Sequence, residues 1–566
     1  MNQKKEKKHG LYLKHKTKSM NHEINYSDWS KEDVIKEIKK LKKMKKYGIV
    51  WDEEKTKEKF DKESEEKLPV LKEIKNKEII TKDEFTKNIL IEGDNYHTLS
   101  VLNYTHKNSI DLIYIDPPYN TGKEFRYNDK LVDYEDTYRH SKWLSYINKR
   151  LKLARNLLTK KGVIFISIDD HEFGNLKLLC NEIFGEENFL ETIIWKKRAT
   201  APNDREIGRN HEYILCYTRS DNYDLTLLPR TEESDKEYTN PDNDPRGRWR
   251  ASDLSASGKG GRLTQSTIFP IKNSFNDKEY MPPKNKCWLY NKKKIEGFIE
   301  DGRISFRKNG KPFLKRFLNE VRDGLTAPTI WTDVGFSQDS AQEIKDLFGG
   351  ETVFENPKPL KLMRRICHLA TKNKPNSITL DFFAGSGTTG HAILEMNEED
   401  GGNRKFILCT NNEDNICTDV CYPRIQNSIK GYTNTKNEKV KGLGGNLKYF
   451  KTDFVDGEPT DKNKKKLVEQ CTEILCLKED CFDELKQTKN YSVFKNHQER
   501  YIGIIYDDDG IEPLKKQIKS MGKKFNVYVF SLDDSAREEE FEDVKEMVDL
   551  KPIPEVILNV YRRIFR

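Results

Sequence analysis

Three short apolar runs, each closed by an aspartate and each set apart by a stretch of helix length, restrict this chain more than any other feature. They are Asn88-Ile-Leu-Ile-Glu-Gly-Asp94, Ile110-Asp-Leu-Ile-Tyr-Ile-Asp116 and Val163-Ile-Phe-Ile-Ser-Ile-Asp169. Runs this short and this apolar suit strands buried on both faces, and the amphipathic stretch from about Tyr138 to Leu158 suits a crossover helix between two of them. A doubly wound, mostly parallel α/β sheet of the Rossmann-like kind is the expected fold class, with Asp94, Asp116 and Asp169 along one rim, where such sheets bind ligands. The alternation breaks up after Arg219 into a Gly-, Pro- and Lys-rich stretch. It resumes with the helix Leu360–Ile366, the strand Ile378–Phe382, a second helix and the strand Phe406–Thr410.

The expected organisation is therefore a basic arm and helical segment at 1–67, a first part of the core at 68–219, and an insertion at 220–345. A second part of the core at 346–448 and a small α/β C-terminal domain at 449–566 complete the chain of 566 residues. Charge supports these divisions. Residues 1–50 carry 15 Lys against 6 acids, so the net +8 of the whole chain leaves about −1 for the rest. Within that rest, residues 245–316 carry 18 Lys and Arg against 6 acids, interleaved with Trp249, Phe269, Trp288, Tyr290 and Phe306, which suits a face turned toward a polyanion. Ten scattered cysteines fit a reducing compartment, and no apolar run approaches the ~18–20 residues of a spanning helix, so a cytoplasmic protein is expected. Cys417, Cys421, Cys471, Cys476 and Cys481 lack the spacing of a zinc knuckle, and no metal is expected.

Two constellations carry the chemistry. After the strand ending at Asp381 comes Phe383-Ala-Gly-Ser-Gly-Thr-Thr-Gly390, with glycines 385, 387 and 390 in the G-x-G-x-x-G pattern. Backbone N–H groups at such a loop and helix start favour a carboxylate or phosphate. Glu413, 23 residues past Gly390, stands where an acid accepts hydrogen bonds from ribose hydroxyls. This pair suits an adenosine-containing cofactor without separating NAD from S-adenosylmethionine. The second constellation is Asp116-Pro-Pro-Tyr119. Two prolines remove two N–H donors and leave an acceptor-only rim. Asp116 and the Pro117 carbonyl could each accept one N–H of an exocyclic amino group, draw its nitrogen toward tetrahedral geometry and aim the lone pair at an electrophile, with Pro118 stiffening the turn and Tyr119 stacked on the ring. The base must then leave the duplex.

Asp-Pro-Pro-Tyr followed, late in the chain, by Phe-x-Gly-x-Gly resembles the β-class amino-group DNA methyltransferases. Asp116–Gly122, Tyr138–Leu144, Arg150–Arg155, Gly162–Asp170 and Ile183–Glu186 resemble the modification subunit of Type III restriction–modification systems. The resemblance covers roughly residues 88–430 and implies transfer of a methyl group from S-adenosylmethionine to N6 of adenine in double-stranded DNA, with N4 of cytosine, or a mainly DNA-specificity and docking role, as alternatives. It implies that Asp381, Phe383, Ala384, Gly385, Ser386, Gly387 and Thr388 form the cofactor loop, that Glu413 meets the ribose, and that Asp94 meets the adenine amino group, with Asn95 beside it in the cofactor site. Lys358 and Pro359, in Asn356-Pro-Lys-Pro359, would precede the helix closing over the methionine moiety. The insertion falls where the family keeps its target-recognition domain, with Arg246, Arg248, Trp249, Arg250, Lys259 and Arg262 as candidate DNA contacts. No nucleotide-hydrolysing phosphate loop is present, so cleavage would come from a helicase–nuclease partner. The acidic C-terminal domain and the N-terminal helix are candidate docking or homodimerisation surfaces.

Overall fold

A computed structural model describes residues 67–557 apart from 83, 124, 128–129, 204–205, 258–263, 274–275, 457, 459, 531–537, 554 and 556. Before them it describes Ser30, Lys31, Ile35, residues 48–52, Thr56 and Glu58. Most of the basic arm and helix expected in 1–67 lies outside the described residues, as do Lys259 and Arg262. The chain divides into residues 1–50, of which Lys31 and Ile35 are helical, and residues 51–566.

The second unit is built on one ten-stranded sheet. Its strands are β1 (Lys67–Glu73), β2 (Lys87–Glu92), β3 (Ile110–Ile115), β4 (Leu158–Ile168) and β5 (Phe189–Lys196). They continue with β6 (His211–Thr218), β7 (Ile330–Trp331), β8 (Ile378–Asp381), β9 (Lys405–Thr410) and β10 (Asn446–Asp456). Their spatial order is β1-β10-β2-β9-β8-β3-β4-β6-β5-β7. Only β1 and β6 run against the others, as expected of a doubly wound, mostly parallel sheet. The chain leaves β3 toward β4 on one side and leaves β8 toward β9 on the other. The crevice between β3 and β8 is therefore a topological switch point, where the carboxyl ends of open α/β sheets bind ligands.

Strand periodicity divides the apolar side chains between two faces. Leu112, Tyr114, Val163, Phe165 and Leu408 join one buried cluster with side chains of α5 (Leu360–Thr371), α6 (Thr388–Asp400) and α7 (Tyr422–Lys430). Their alternates Ile113, Ile115, Ile164 and Ile166 are fully buried on the opposite face, beneath α1 (Asn95–Thr105), α2 (Arg139–Leu157) and α3 (Phe173–Phe184). Gly390 allows α6 to lie close, because a Cβ there would come within 2.8 Å of Ile425 and 2.9 Å of Leu408.

Two expected boundaries move. β10 pairs with β2 as far as Lys451 and with β1 as far as Asp456, so the core runs past residue 448. Trp331, inside the expected insertion, is a buried part of the main sheet, β7 pairing in parallel with β5, and α4 (Ser337–Leu347) follows it. Between β6 and β7 lies the inserted unit. Its strands Trp249–Asp253, Ile304–Phe306 and Pro312–Phe317 form a three-stranded sheet over a small core of Leu254, Ile271, Trp288 and Ile295. After α8 (Asp461–Glu479), the C-terminal domain forms a separate five-stranded sheet of β11 (Asp483–Gln487), β12 (Tyr491–Lys495), β13 (Tyr501–Ile505), β14 (Phe525–Val529) and β15 (Val548–Leu550). α8 joins the two, Glu473 accepting the Glu73 N–H at 2.7 Å and Glu479 accepting from Asn526 at 2.8 Å.

Leu380 is fully buried between β9 and β3. Leu380→Ala should cost ~2–5 kcal/mol of unfolding free energy, measured by urea titration with an unchanged denaturant slope.

Candidate active site

Parallel pairing sets Leu380 of β8 opposite Ile113 of β3. The two chemistry-bearing turns that follow these strands thus meet across one cavity of about 1000 Å³, although 265 residues separate Asp116 from Asp381. Asp94 and Asp169 border the same cavity, so the three aspartates do line one rim.

The Asp116–Tyr119 turn is held by side chains that sequence reasoning missed. Trp143 Nε1 donates to the Pro118 carbonyl at 2.7 Å, so that carbonyl is occupied from α2. Among the described residues the Pro117 carbonyl has no such partner. Behind the turn, Asn120 takes a left-handed conformation at φ 60° and its amide donates to Glu172. The Tyr119 hydroxyl donates to Asp116 Oδ1 at 2.7 Å and lies 3.1 Å from Glu212 Oε2. Lys358 was expected near the methionine end of the cofactor. Instead its ammonium donates to Asp116 Oδ2 at 2.6 Å, lies 3.1 Å from the Tyr119 hydroxyl and stands 3.5 Å from Glu212 Oε2. Lys197 pairs with Glu212 Oε1 at 2.7 Å. Burial opposes the charge on Glu212, but Lys358 and Lys197 outweigh it and hold the carboxyl below its ordinary range. Burial likewise opposes the charge on Lys358, and Asp116 with Glu212 raises its pKa above the ordinary value. The rim is thus a network of two carboxylates, two ammonium groups and one phenol.

Across the cavity lies the glycine loop. Gly387, at φ +81°, caps α6 in a conformation that suits glycine. Asp381 is buried and spends both oxygens inside the loop, accepting from the Phe383 N–H at 3.0 Å and the Thr389 hydroxyl at 2.5 Å. Burial pushes its carboxyl up to about 7, so Asp381 shapes the loop. The fully buried Arg424 donates to Ser386 Oγ at 3.1 Å and Thr388 Oγ1 at 2.8 Å and braces the loop from behind. Phe383, Ala384, Gly385, Ser386 and Thr388 line the cavity, and the backbone N–H groups of Gly385 and Ser386 have no partner among the described residues. Pro359 is not a lining residue; it caps α5.

At the far end, Glu413 borders the cavity 3.7 Å from Arg126, and Asp94 caps α1 by accepting from the Tyr96 N–H. Asn95 was expected to meet the cofactor. It borders the cavity, and its side chain accepts from Arg150 and donates to the Phe382 carbonyl at 3.0 Å, tying α1 to the loop. Arg150 also reaches Asp94 at 3.3 Å and Glu58 at 3.2 Å. Acids at one end, aromatic Tyr146 and Phe383 between and free amide donors at the loop suit an adenosine joined to a carboxylate-bearing chain.

The expected cluster in the inserted unit is largely structural. Arg246 binds Asp244 through two nitrogens at 2.9 Å each and reaches Asp301 at 3.1 Å. The Trp249 indole donates to Asp242, and its ring stacks on Phe313. Arg250 pairs with Glu237 at 3.6 Å and lies over Tyr238. Arg248 remains exposed with no ion pair among the described residues, as does Arg316, opposite Arg250 on the neighbouring strand.

This double-rimmed cavity belongs to an enzyme class whose sequence family also matches. Residues 110–420 match the N6/N4 methyltransferase family, described as DNA methylase, and the chain belongs to that family. It is 36% identical over 351 residues to the Type III restriction-modification enzyme StyLTI Mod subunit of Salmonella typhimurium, covering 57% of this chain and 52% of that one. It is 30% identical over 403 residues to the Type II methyltransferase M.KpnI of Klebsiella pneumoniae, covering 65% and 91%. The chain thus spans about half the length of the Mod subunit and nearly all of M.KpnI. Among solved structures, the cytosine-N4-specific PvuII DNA methyltransferase aligns with a TM-score of 0.32 and 11% identity over 61% of this chain and 92% of that one.

Asp381 yields a pH test. Its carboxyl titrates near 3.8 when exposed and at about 7 in the fold. Between these values the unfolded chain binds fewer protons, so stability falls as pH rises and levels off above about 7. Asp381→Asn should remove this part of the fall, seen as a flatter profile in urea titrations from pH 4 to 8.

Proposed function

We propose that the chain is a site-specific methyltransferase that modifies N6 of adenine in duplex DNA, with S-adenosylmethionine as cofactor. We further propose that it serves as the modification subunit of a Type III-like restriction–modification system alongside a helicase–nuclease partner. The observation that carries the reading is that the Asp116–Tyr119 turn, with Asp116 and the Pro117 carbonyl as acceptors, and a glycine loop with open N–H donors border the same cavity.

In this reading the N–H groups of Gly385 and Ser386 receive the cofactor's carboxylate, Glu413 the ribose hydroxyls and Asp94 the adenine amino group. Bound there, S-adenosylmethionine supplies a methyl carbon whose bond to sulfur breaks as the N6 lone pair attacks it. Asp116 and the Pro117 carbonyl accept the two N6 hydrogens and turn that lone pair out of the ring plane, while Tyr119 packs on the base. Catalysis is then positioning and charge complementarity with no covalent enzyme intermediate, and the proton lost from N6 goes to water. Extrusion of the base costs a few kcal/mol, which contacts in the cavity offset. An enzyme acting alone is the second reading, favoured by the 91% coverage of M.KpnI.

Asp116→Ala should bind S-adenosylmethionine with little change by calorimetry yet transfer no labelled methyl to duplex DNA. Digestion of wild-type product to nucleosides should yield N6-methyladenine; N4-methylcytosine would reassign the base, and label in neither would overturn the reading. Replacing Arg248 and Arg316 together by Glu should weaken duplex binding and reduce the slope of log affinity against log salt by roughly one unit per lost phosphate contact. Arg246→Ala should instead lower the unfolding midpoint, because Asp244 and Asp301 each lose one of their two cationic partners and keep only Lys315 and Arg303.

A further inference from the structure

Asp116 is not free to work as a bare acceptor in this structure. Oδ1 takes the Tyr119 hydroxyl and Oδ2 takes the Lys358 ammonium. Spare lone pairs would still allow Asp116 to accept an N6 hydrogen. The electrostatics are less forgiving. Methyl transfer puts positive charge on N6 at the end of that same hydrogen bond, and an ammonium held on the same carboxylate would repel it in this partly buried site. The lysine cannot escape by losing its proton, since its two carboxylate neighbours keep it charged. It has a second acceptor within reach: Glu212 Oε2 lies 3.5 Å from its nitrogen, and Glu212 is a carboxylate held by Lys197 on its other oxygen. Glu212 sits on β6, a strand buried at the end of the rim and outside both chemistry-bearing turns.

We propose that Glu212 is a positioning residue that draws the Lys358 ammonium off Asp116 when the target base enters, leaving Asp116 with its full negative charge for the transfer step. The inference rests on the methyltransferase reading above. A side-chain rotation over about one ångström converts a 3.5 Å approach into a hydrogen bond, so no backbone movement is required. Lys197 keeps Glu212 in place throughout, and Tyr119, within reach of both carboxylates, can follow the change by turning its hydroxyl. The adenine amino group and the ammonium thus compete for one carboxylate, and Glu212 decides the competition.

The test is a double-mutant cycle on the full chain with Glu212→Gln, Lys358→Met and both together. Single-turnover methyl transfer to duplex DNA is read alongside S-adenosylmethionine binding by calorimetry and KM for DNA. Glu212→Gln should lower kcat by roughly a hundredfold, with KM and cofactor binding within about threefold of wild type, because the lysine then stays on Asp116. Removing the lysine as well should restore at least tenfold of that loss, a rescue that a merely structural glutamate would not give. Wild-type rates in Glu212→Gln, or a double variant no faster than Glu212→Gln, would overturn the role of Glu212 while leaving the methyltransferase reading intact. A wild-type chain that binds cofactor and DNA yet transfers no methyl would overturn both.

Discussion

Everything at the site depends on the parallel pairing of β3 with β8. Hydrogen bonding between Leu112–Ile113 and Thr379–Leu380 brings together two turns that are remote in the chain, and the opposite exits of the two strands open a crevice above that pairing. The apolar residues that cement it, Leu112, Ile113 and Leu380, are fully buried. They bear on function only by fixing the distance between Asp116 and the glycine loop. A 1 Å change in that distance would matter, because methyl transfer in line between two bound partners is sensitive to alignment.

Charge is the second constraint. The rim concentrates Asp116 and Glu212 with Lys358 and Lys197 in a partly buried space, and the two ammonium groups overcome burial to hold the Glu212 carboxyl below its ordinary range. At the cofactor end Arg150 pairs with both Asp94 and Glu58, while Arg424 stiffens the loop from behind. Asp94 and Asp116 are thus each paired with a cation drawn from a distant part of the chain: α2 for Asp94, and the segment before α5 for Asp116.

Strand runs, the Asp-Pro-Pro-Tyr turn and the glycine loop were legible because each is local: burial on both faces writes itself as a continuous apolar run, and tight turns demand particular residues. The partners of those residues were not legible. Lys358 was assigned to the cofactor because it follows Asn356 and Pro357, yet its side chain turns to Asp116; nothing in a linear motif reports direction. Glu212 and Lys197 sit on or beside strands without any motif, and only the antiparallel return of β6 beside β4 brings them to the rim. The basic block misled for a related reason. Counting residues 245–316 left out Glu237, Asp242, Asp244 and Glu320, the acids that neutralise Arg250, Lys315, Arg246 and Arg303. Much of the apparent excess is therefore internal pairing, and the exposed remainder, such as Arg248 and Arg316, is smaller than the count implied. The edge strand β7 escaped notice because two residues are too short to show a period.

The central claim is that two turns meeting across one cavity act on a single extruded base at a defined DNA sequence. Its most direct measurement is expression of the chain in a methylation-free bacterial host followed by single-molecule sequencing of the whole genome. The account predicts N6-methyladenine at one short motif, and modification of one strand only would favour the Type III reading over an enzyme acting on both strands. A genome with no modified base, in cells where the folded chain is abundant, would contradict it.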